Sequence, residues 1–509
     1  MAKPRRNLFI LVGICLVLLG FIAKNQFFLA THKPFWDDEA IGINSSCTAP
    51  YFTLLSGGAP SQCSPQPLYY LLNKWTVSKL GSFDHGILWK LRLEGLIAST
   101  LLIAVVFLSI GMGLGLPWAL LSIVLMNNQP LFHQYAAETR PYAVWLFFFG
   151  ATTLLGARLS SKGFSGIRNV EKGTFAALSL GLTLVAGPGM FQVFVTSFWC
   201  MVCWHFFFRE EKTFRKTKVW MNFLAPLAFV SLSIGMFYSL KSCNFTDAGP
   251  YDLLLTKDFG LIRSVWALFW PSGSLITVGF NALVVLGAAY PVLAYPKRRD
   301  LSSSEKFAFS LAVISILQLG LAVFLGLAVA LKHYYFVQRI FIYLILCRAF
   351  LAAVGGFYFY QIALKTISKH SRQSLQRAFK TTVLLGASSL AAASLFRLPQ
   401  LMRSMGEPRL VQTGSSPRAC GLKLGKNLEF YAHPENFADP YPLNFLAMLE
   451  QEIKQCGQEE NKSPQYIVAL KKHEATPDRY YAILSSPPRS EATPLLVCGR
   501  PVRAANHGL

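Results

Sequence analysis

Long apolar runs with few charged residues alternate with short polar segments from residue 8 to residue 398. Many of these runs approach the length of about 20 residues that crosses a bilayer as a helix. The pattern predicts an α-helical polytopic membrane protein with about eleven transmembrane helices. They are expected near residues 8–30, 92–111, 117–131, 141–157, 173–189, 191–208, 220–240, 275–295, 307–331, 337–360 and 381–398.

The polar and apolar pattern changes after residue 398. Short β-type runs at 428–431, 466–470, 480–484 and 495–498 and an amphipathic stretch at 443–456 predict a small C-terminal α/β domain over residues 399–509. Residues 1–398 form the expected transmembrane domain, and its loop 31–91 is rich in Pro, Gly, Ser and aromatic residues. Loops of this length are usually functional or disordered, so the loop is a first place to look for a site.

The composition narrows the classes of protein that fit. Of 509 residues, 53 % are hydrophobic and only 14 % are charged, whereas a soluble protein carries roughly 25 % charged residues. The mean hydropathy is +0.39. These values exclude a cytosolic enzyme, a disordered chain and a small disulfide-rich protein.

The net charge of +23 is distributed unevenly. Residues 1–7, 158–172, 209–219, 296–306 and 361–380 together hold 21 Lys and Arg but only 5 Asp and Glu, and all five segments fall on one side of the predicted membrane. By the positive-inside rule, the N-terminus is expected in the cytoplasm and the C-terminus on the extracytoplasmic side of the membrane. The charge therefore reports topology rather than nucleic-acid binding, and a patch for anionic lipid headgroups is the alternative.

Three consecutive acids, Asp37, Asp38 and Glu39, follow the first span directly in a chain that has 25 acids in all. Like charges this close raise each other's pKa, which suits a general base. The alternative is a solvated acidic turn that caps a helix beginning near Ala40.

Two further polar clusters are expected on the same outer face. Glu138 and Arg140 precede the fourth span, and the segment 332–339 between the ninth and tenth spans contains Lys332 and Arg339. An arginine at this depth can bind a phosphate through two parallel hydrogen bonds. An arginine that only extends its charged group to the interface is the alternative.

These motifs, taken in order, resemble those of the GT-C glycosyltransferases. The matching segments are 36–40 (WDDEA), 66–72 (QPLYYLL), 92–93 (RL) and 138–142 (ETRPY). Protein O-mannosyltransferases and lipid A aminoarabinose transferases are the most similar groups. The resemblance covers residues 1–160, and beyond them only the helix count and the cluster 335–339. It implies a hexosyl- or pentosyltransferase that moves a sugar from a polyisoprenyl-phosphate donor to a hydroxyl of a lipid, polysaccharide or protein, with inversion, on the outer face of a bacterial inner membrane.

The resemblance also assigns roles to residues of this chain. Asp38 becomes the catalytic base, with Glu39 beside it and Glu138 as the second acid of the site. The expected substrate-binding residues are Asp37, Gln66, Tyr69, Arg92, Arg140, Tyr142, Lys332 and Arg339.

One departure from the family pattern concerns the segment before Leu68. Related loops often carry His or Lys there, where this chain has Ser64-Pro65-Gln66, and this leaves the donor class and the use of a metal open. The sequence establishes no cofactor, and a divalent metal ion is the candidate, because Asp37, Asp38 and Glu138 offer oxygen ligands.

Two other classes of function stay open at the level of sequence. A transporter or flippase requires ionisable residues in the middle of the spans, where Arg348 is the one strong example. A non-catalytic envelope scaffold would use the loop and the tail only for binding.

Overall fold

The computed structural model describes most of the transmembrane domain and a few strands of the tail. The described residues are 2–32, 46, 49–56, 66–79, 87–162, 168–207, 214–241, 266–271, 275–298, 300–331, 341–370, 373–406, 467–472, 480–485, 496–497 and 500–501.

Helices account for nearly all of the described chain. In order they are α1 Ala2–His32, α2 Tyr51–Leu55, α3 Pro67–Lys79, α4 Ile87–Leu91, α5 Leu93–Gly113, α6 Leu116–Asn127, α7 Pro130–Ala136, α8 Tyr142–Ser161, α9 Asn169–Val185, α10 Gly189–Phe207, α11 Phe214–Lys241, α12 Leu275–Ala294, α13 Ser303–Leu331, α14 Leu344–His370 and α15 Gln373–Gly406.

Seven of the described helices are long and apolar enough to cross a membrane. These segments are Leu8–Thr31, Leu93–Gly113, Tyr142–Ser161, Ile276–Lys297, Ser303–Leu327, Leu344–Ser368 and Gln373–Arg403. Shorter apolar helices cover Leu116–Asn127, Gly189–Cys203 and Asn222–Tyr238. The multi-span architecture is therefore present, while the number eleven stays a prediction.

The span predicted at 117–131 differs most clearly from the structure. Helix α6 ends at Asn127, and Pro130 begins the separate helix α7. Proline has no backbone N–H and suits the first turn of a helix, so it starts a new helix here instead of continuing the previous one. At 12 residues, α6 is about 18 Å long, which is shorter than a hydrocarbon core of about 30 Å.

The helices pack around one large apolar core. It is built from α1, α5, α6, α8, α13 and α14, with contributions from α10, α12 and α15. Other large apolar side chains face away from the protein, including Phe9, Val17, Val292 and Phe396. Such exposure is expected where a helix contacts lipid, because lipid tails are as apolar as these side chains.

The backbones of helices α12 and α14 approach each other closely in the core. A Cβ atom added to Gly287 would collide with the carbonyl of Leu351, and one added to Gly355 would collide with the carbonyl of Leu283. Small residues at membrane helix interfaces allow this kind of close approach.

Two antiparallel strand pairs are described in the tail. β1 (Ile467–Lys472) pairs with β2 (Tyr480–Ser485), and β3 (Leu496–Val497) pairs with β4 (Arg500–Pro501). Three of the four predicted strands overlap these pairs. The strand at 428–431 and the helix at 443–456 lie outside the described residues, so the α/β domain stays a prediction.

Candidate functional site

The structure describes six of the eleven residues that the sequence assigns to the site: Gln66, Tyr69, Arg92, Glu138, Arg140 and Tyr142. The other five lie outside the described residues: Asp37, Asp38, Glu39, Lys332 and Arg339. The described members converge where α1 ends and α5 begins, which is the predicted outer face.

Arg92 connects the end of α1 to the start of α5. Its side chain is fully buried, and its Nη1 donates a 2.9 Å hydrogen bond to the carbonyl of Ala30. The Thr139 hydroxyl donates a 3.0 Å hydrogen bond to the carbonyl of Leu91. Because a buried charged donor needs an acceptor, Arg92 has a clear structural function in addition to the substrate-binding role expected from the sequence.

Gly95 allows the segment that carries Glu138 to lie directly against α5. A Cβ atom at this position would lie 2.8 Å from the carbonyl oxygen of Ala136, 3.2 Å from that of Glu138 and 3.3 Å from that of Tyr135. Any side chain here would push this backbone away. The position of Glu138 therefore depends on a glycine of a different helix.

Glu138 points into the protein rather than into solvent. It is 5 % exposed, and Gln134 Nε2 donates a 3.1 Å hydrogen bond to its Oε1. The backbone N–H of Arg140 donates to the carbonyl of Glu138 at 2.9 Å, and the rings of Tyr135 and Tyr142 lie 4.6 Å apart across this turn. The acid is thus held by side-chain and backbone contacts at the base of the outer loops.

A buried network of side-chain hydrogen bonds lies next to this turn. The sequence analysis did not predict it. His133 Nε2 lies 2.9 Å from the carbonyl of Asn127, its Nδ1 lies 3.2 Å from Gln26 Nε2, and the Ser99 hydroxyl donates to Gln26 Oε1 at 2.8 Å. A carbonyl only accepts, so Nε2 carries the proton and Nδ1 accepts from Gln26. Burial lowers the pKa of His133 to about 4, which keeps the ring neutral.

Tyr69 occupies the buried face of α3. Its ring is 2 % exposed, and its hydroxyl accepts a 3.1 Å hydrogen bond from Asn73 Nδ2. Burial, followed by the negative charge of Glu94, raises the pKa of Tyr69, while the positive charge of Arg140 opposes the rise. Tyr69 therefore lies within electrostatic range of both an acid and a cation.

Glu94 is the acid at this site that the sequence analysis did not select. It lies in the first turn of α5, and both carboxylate oxygens are buried without a hydrogen-bond partner. A signal was available, because a charge at the start of an apolar span is costly and often functional. Its proximity to Tyr69 could not be anticipated, since it depends on how α3 folds back over α5.

Gln66 immediately precedes α3. Its carbonyl accepts a 3.2 Å hydrogen bond from the backbone N–H of Tyr70, which belongs to the first turn of the helix. The side chain of Gln66 is half-buried, so it lies at the edge of the cluster rather than inside it.

An apolar groove runs from this cluster toward the membrane interior. It has a volume of about 330 Å³ and lies between α1 and α5, with Phe27, Trp89, Leu93 and Leu101 among its lining residues. Leu93 directly follows Arg92 along the chain, so the groove opens next to the polar cluster.

Metal binding at the site is not decided by the described residues. Within them, no group of three or more His, Cys, Asp and Glu side chains has the proximity to hold a metal ion. Of the three suggested ligands, Glu138 is described, while Asp37 and Asp38 are not.

Comparison with known proteins gives similarity at the level of structure only. No protein-family model and no curated protein matches the chain. Among solved structures, the chain is similar to ArnT from Cupriavidus metallidurans bound to undecaprenyl phosphate, with a TM-score of 0.40 and 15 % identity over 80 % of this chain and 76 % of ArnT. For the apo state of ArnT, the TM-score is 0.41 and the identity 13 % over 80 % and 77 % of the two chains. Similarity at this level assigns no role to any residue of this chain.

Proposed function

We propose that this protein is a membrane glycosyltransferase that transfers a sugar from a polyisoprenyl-phosphate donor to an acceptor hydroxyl on the outer face of a bacterial inner membrane. The observation that carries the proposal is the gathering of Arg140, Glu138 and Tyr69 at the point where α1 ends. A cation for a phosphate and acids for proton transfer thus occur together beside an apolar groove.

Chain connectivity brings the acidic segment within reach of this cluster. Asp38 follows the last residue of α1, His32, by six positions, which limits their separation to roughly 20 Å. The end of α1 is held to Arg92 through Ala30. In this proposal, the short connection from α1 keeps Asp38 near the donor phosphate site.

The proposed reaction is a single displacement with inversion. Asp38 accepts the proton of the acceptor hydroxyl, and the hydroxyl oxygen attacks the anomeric carbon of the sugar. The bond from that carbon to the phosphate oxygen breaks, and its electron pair stays on the leaving phosphate. Arg140, Lys332 and Arg339 offset the negative charge that develops there.

The remaining site residues have supporting roles in this proposal. Glu39 and Glu138 flank the base, and Asp37, Gln66 and Tyr142 contact the sugar or the phosphate. The apolar groove between α1 and α5 provides a surface for the isoprenoid chain, since its lining is made almost entirely of apolar side chains.

Donor binding is tested with native mass spectrometry of the purified protein in mild detergent, with an added polyisoprenyl phosphate. We expect Arg140→Ala to reduce the bound fraction about 10- to 100-fold, because one charged hydrogen bond contributes roughly 1.5–3 kcal/mol. Arg298→Ala is the matched control, since Arg298 stacks on Tyr295 at the opposite end of the helices. Equal binding by the two variants would contradict the proposed phosphate site.

Catalysis is tested separately with Asp38→Asn, which keeps the shape of the side chain but removes the base. We expect transfer to fall by about 10²–10⁴ while donor binding and thermal stability stay unchanged, and Asp300→Asn at an exposed position serves as control. Full activity of Asp38→Asn would refute the assignment of the base.

The same two tests discriminate the other classes of function. A scaffold would bind no donor, and a transporter would bind it without transfer. Arg348 gives little support to transport, because its Nη2 donates a 3.5 Å hydrogen bond to Asn281 Oδ1 in the packed interface between α12 and α14. A single buried cation of this kind does not form a relay.

A further inference from the structure

Among the residues that the structure describes, three buried oxygen atoms at the junction of α3 and α5 have no hydrogen-bond partner. They are both carboxylate oxygens of Glu94 and Oδ1 of Asn73. Asn73 is fully buried. Buried polar atoms in folded proteins almost always have a partner, so a group of unsatisfied oxygens indicates a missing ion or ligand.

Helix α3 carries three oxygen-bearing side chains on one face, and two of them lie near Glu94. Tyr69, Asn73 and Thr76 are spaced four and three residues apart, so they share one face of the helix. Tyr69 lies within electrostatic range of Glu94, and the Thr76 hydroxyl lies near the Glu94 carboxylate. Asn73, between these two along the helix, has its amide N–H directed to the Tyr69 hydroxyl, which leaves the amide oxygen available.

The charge and the atom types restrict what can occupy this site. All four groups offer oxygen, which hard cations prefer over nitrogen and sulfur ligands. Glu94 provides a single negative charge, so a monovalent cation would make the site neutral. A divalent ion would leave a net positive charge near the guanidinium of Arg140, which lies close to Tyr69.

We propose that Glu94, Asn73, Thr76 and Tyr69 form a binding site for a monovalent alkali cation that joins α3 of the outer loop to the start of α5. The cation neutralises a carboxylate that is otherwise buried without a partner, and such a carboxylate is strongly destabilising. The site is distinct from the loop acids considered for a divalent metal, and it does not depend on the proposed transfer reaction.

The test is thermal unfolding of the full-length protein in detergent without donor or acceptor. NaCl, KCl and choline chloride are compared at constant ionic strength, since choline is too large for the site. We expect NaCl or KCl to raise the Tm of the wild type by about 2–4 °C over choline chloride, as a ligand does when it binds only the folded state.

Glu94→Gln tests whether the carboxylate charge is the reason that the fold needs a cation. The amide is neutral, so we expect this variant to lose the dependence on alkali cations and to unfold in choline chloride at a Tm no lower than that of the wild type. Thr76→Val removes one ligand but keeps the shape of the side chain. It should shift the midpoint of the salt titration upward by roughly tenfold, and it keeps the test decisive should Glu94→Gln fail to fold. Asp300→Asn controls for the loss of a negative charge.

The outcomes separate cleanly. Alkali-specific stabilisation that is lost in Glu94→Gln, or weakened in Thr76→Val, supports the site. Equal Tm in all three salts means that Glu94 is protonated or bound to water, and this overturns the proposal. If added Mg²⁺ or Ca²⁺ raises the Tm while Na⁺ and K⁺ do not, the proposal is overturned as well. None of these results depends on whether the protein transfers sugar.

Discussion

Gly95→Ala tests whether the contact between α5 and the segment 136–138 positions the site. A new Cβ atom would lie 2.8 Å from the carbonyl oxygen of Ala136, whereas ordinary contact begins at 3.4 Å. The obstacle is backbone, so it cannot rotate away as a flexible side chain would. The segment with Glu138 would have to move by several tenths of an ångström.

The cost of this change follows from overpacking. Forcing an extra carbon into a packed interface typically costs about 1–3 kcal/mol, while replacing glycine by alanine in a helix returns up to about 1 kcal/mol. Gly320→Ala in α13 is the matched control, because a Cβ atom at Gly320 meets nothing within 4 Å. It should be neutral or stabilising, by up to about 1 kcal/mol.

The assay is thermal unfolding of both variants under identical conditions, followed by donor binding. Gly95→Ala should unfold roughly 2–6 °C below the wild type, and it should lose donor affinity because Arg140 moves with Glu138. If Gly95→Ala were as stable as Gly320→Ala, the close packing of α5 against residues 136–138 would be refuted.

Three further perturbations test other contacts. Acidification should destabilise the fold through His133, whose ring is neutral in both the folded and the unfolded state above pH 6.5. Between pH 6.5 and about 4, the unfolded chain binds a proton that the folded protein excludes, so roughly 3 kcal/mol of stability is lost. A His133→Gln variant with the same dependence of Tm on acid pH as the wild type would contradict this. Glu171→Gln should remove the bond from Lys162 Nζ to Glu171 Oε1 at 2.5 Å. Burial raises the pKa of Glu171, but the hydrogen bonds from Lys162 and from the backbone N–H of Arg168, together with the positive charges of Lys162 and Arg158, outweigh it and hold the pKa below its usual value. The wild type alone should therefore lose this stability as the pH falls through the carboxylate range, as a titration of Tm against pH would show. Arg92→Lys should lower stability by about 1.5–3 kcal/mol because the buried bond to Ala30 is lost, and an unchanged Tm with weaker donor binding would instead make Arg92 mainly a substrate ligand.

The local pattern of apolar and polar residues predicts much of the helical architecture. Apolar runs give helices wherever a membrane must be crossed, because a spanning segment satisfies its backbone groups internally only as a helix. Helices therefore occur at all the predicted spans, although the helix expected at 173–189 ends earlier, since α9 ends at Val185 and α10 begins at Gly189. The boundaries depended on finer signals, such as the proline that divides α6 from α7.

The sequence by itself predicts that these acids and cations share one face of the membrane, because the basic segments are expected on the other side and because charges near lipid are rare. It did not determine which of them meet. The contacts of Arg92 with Ala30 and of Gly95 with Ala136 join residues from separate helices, as does the electrostatic interaction of Tyr69 with Glu94. Only the tertiary structure decides these pairings, because the way the helices pack has no signature in local periodicity. For the same physical reason the unsatisfied Glu94 carboxylate, which in sequence is one acid at the start of a helix, becomes a candidate cation site only when α3 lies over it.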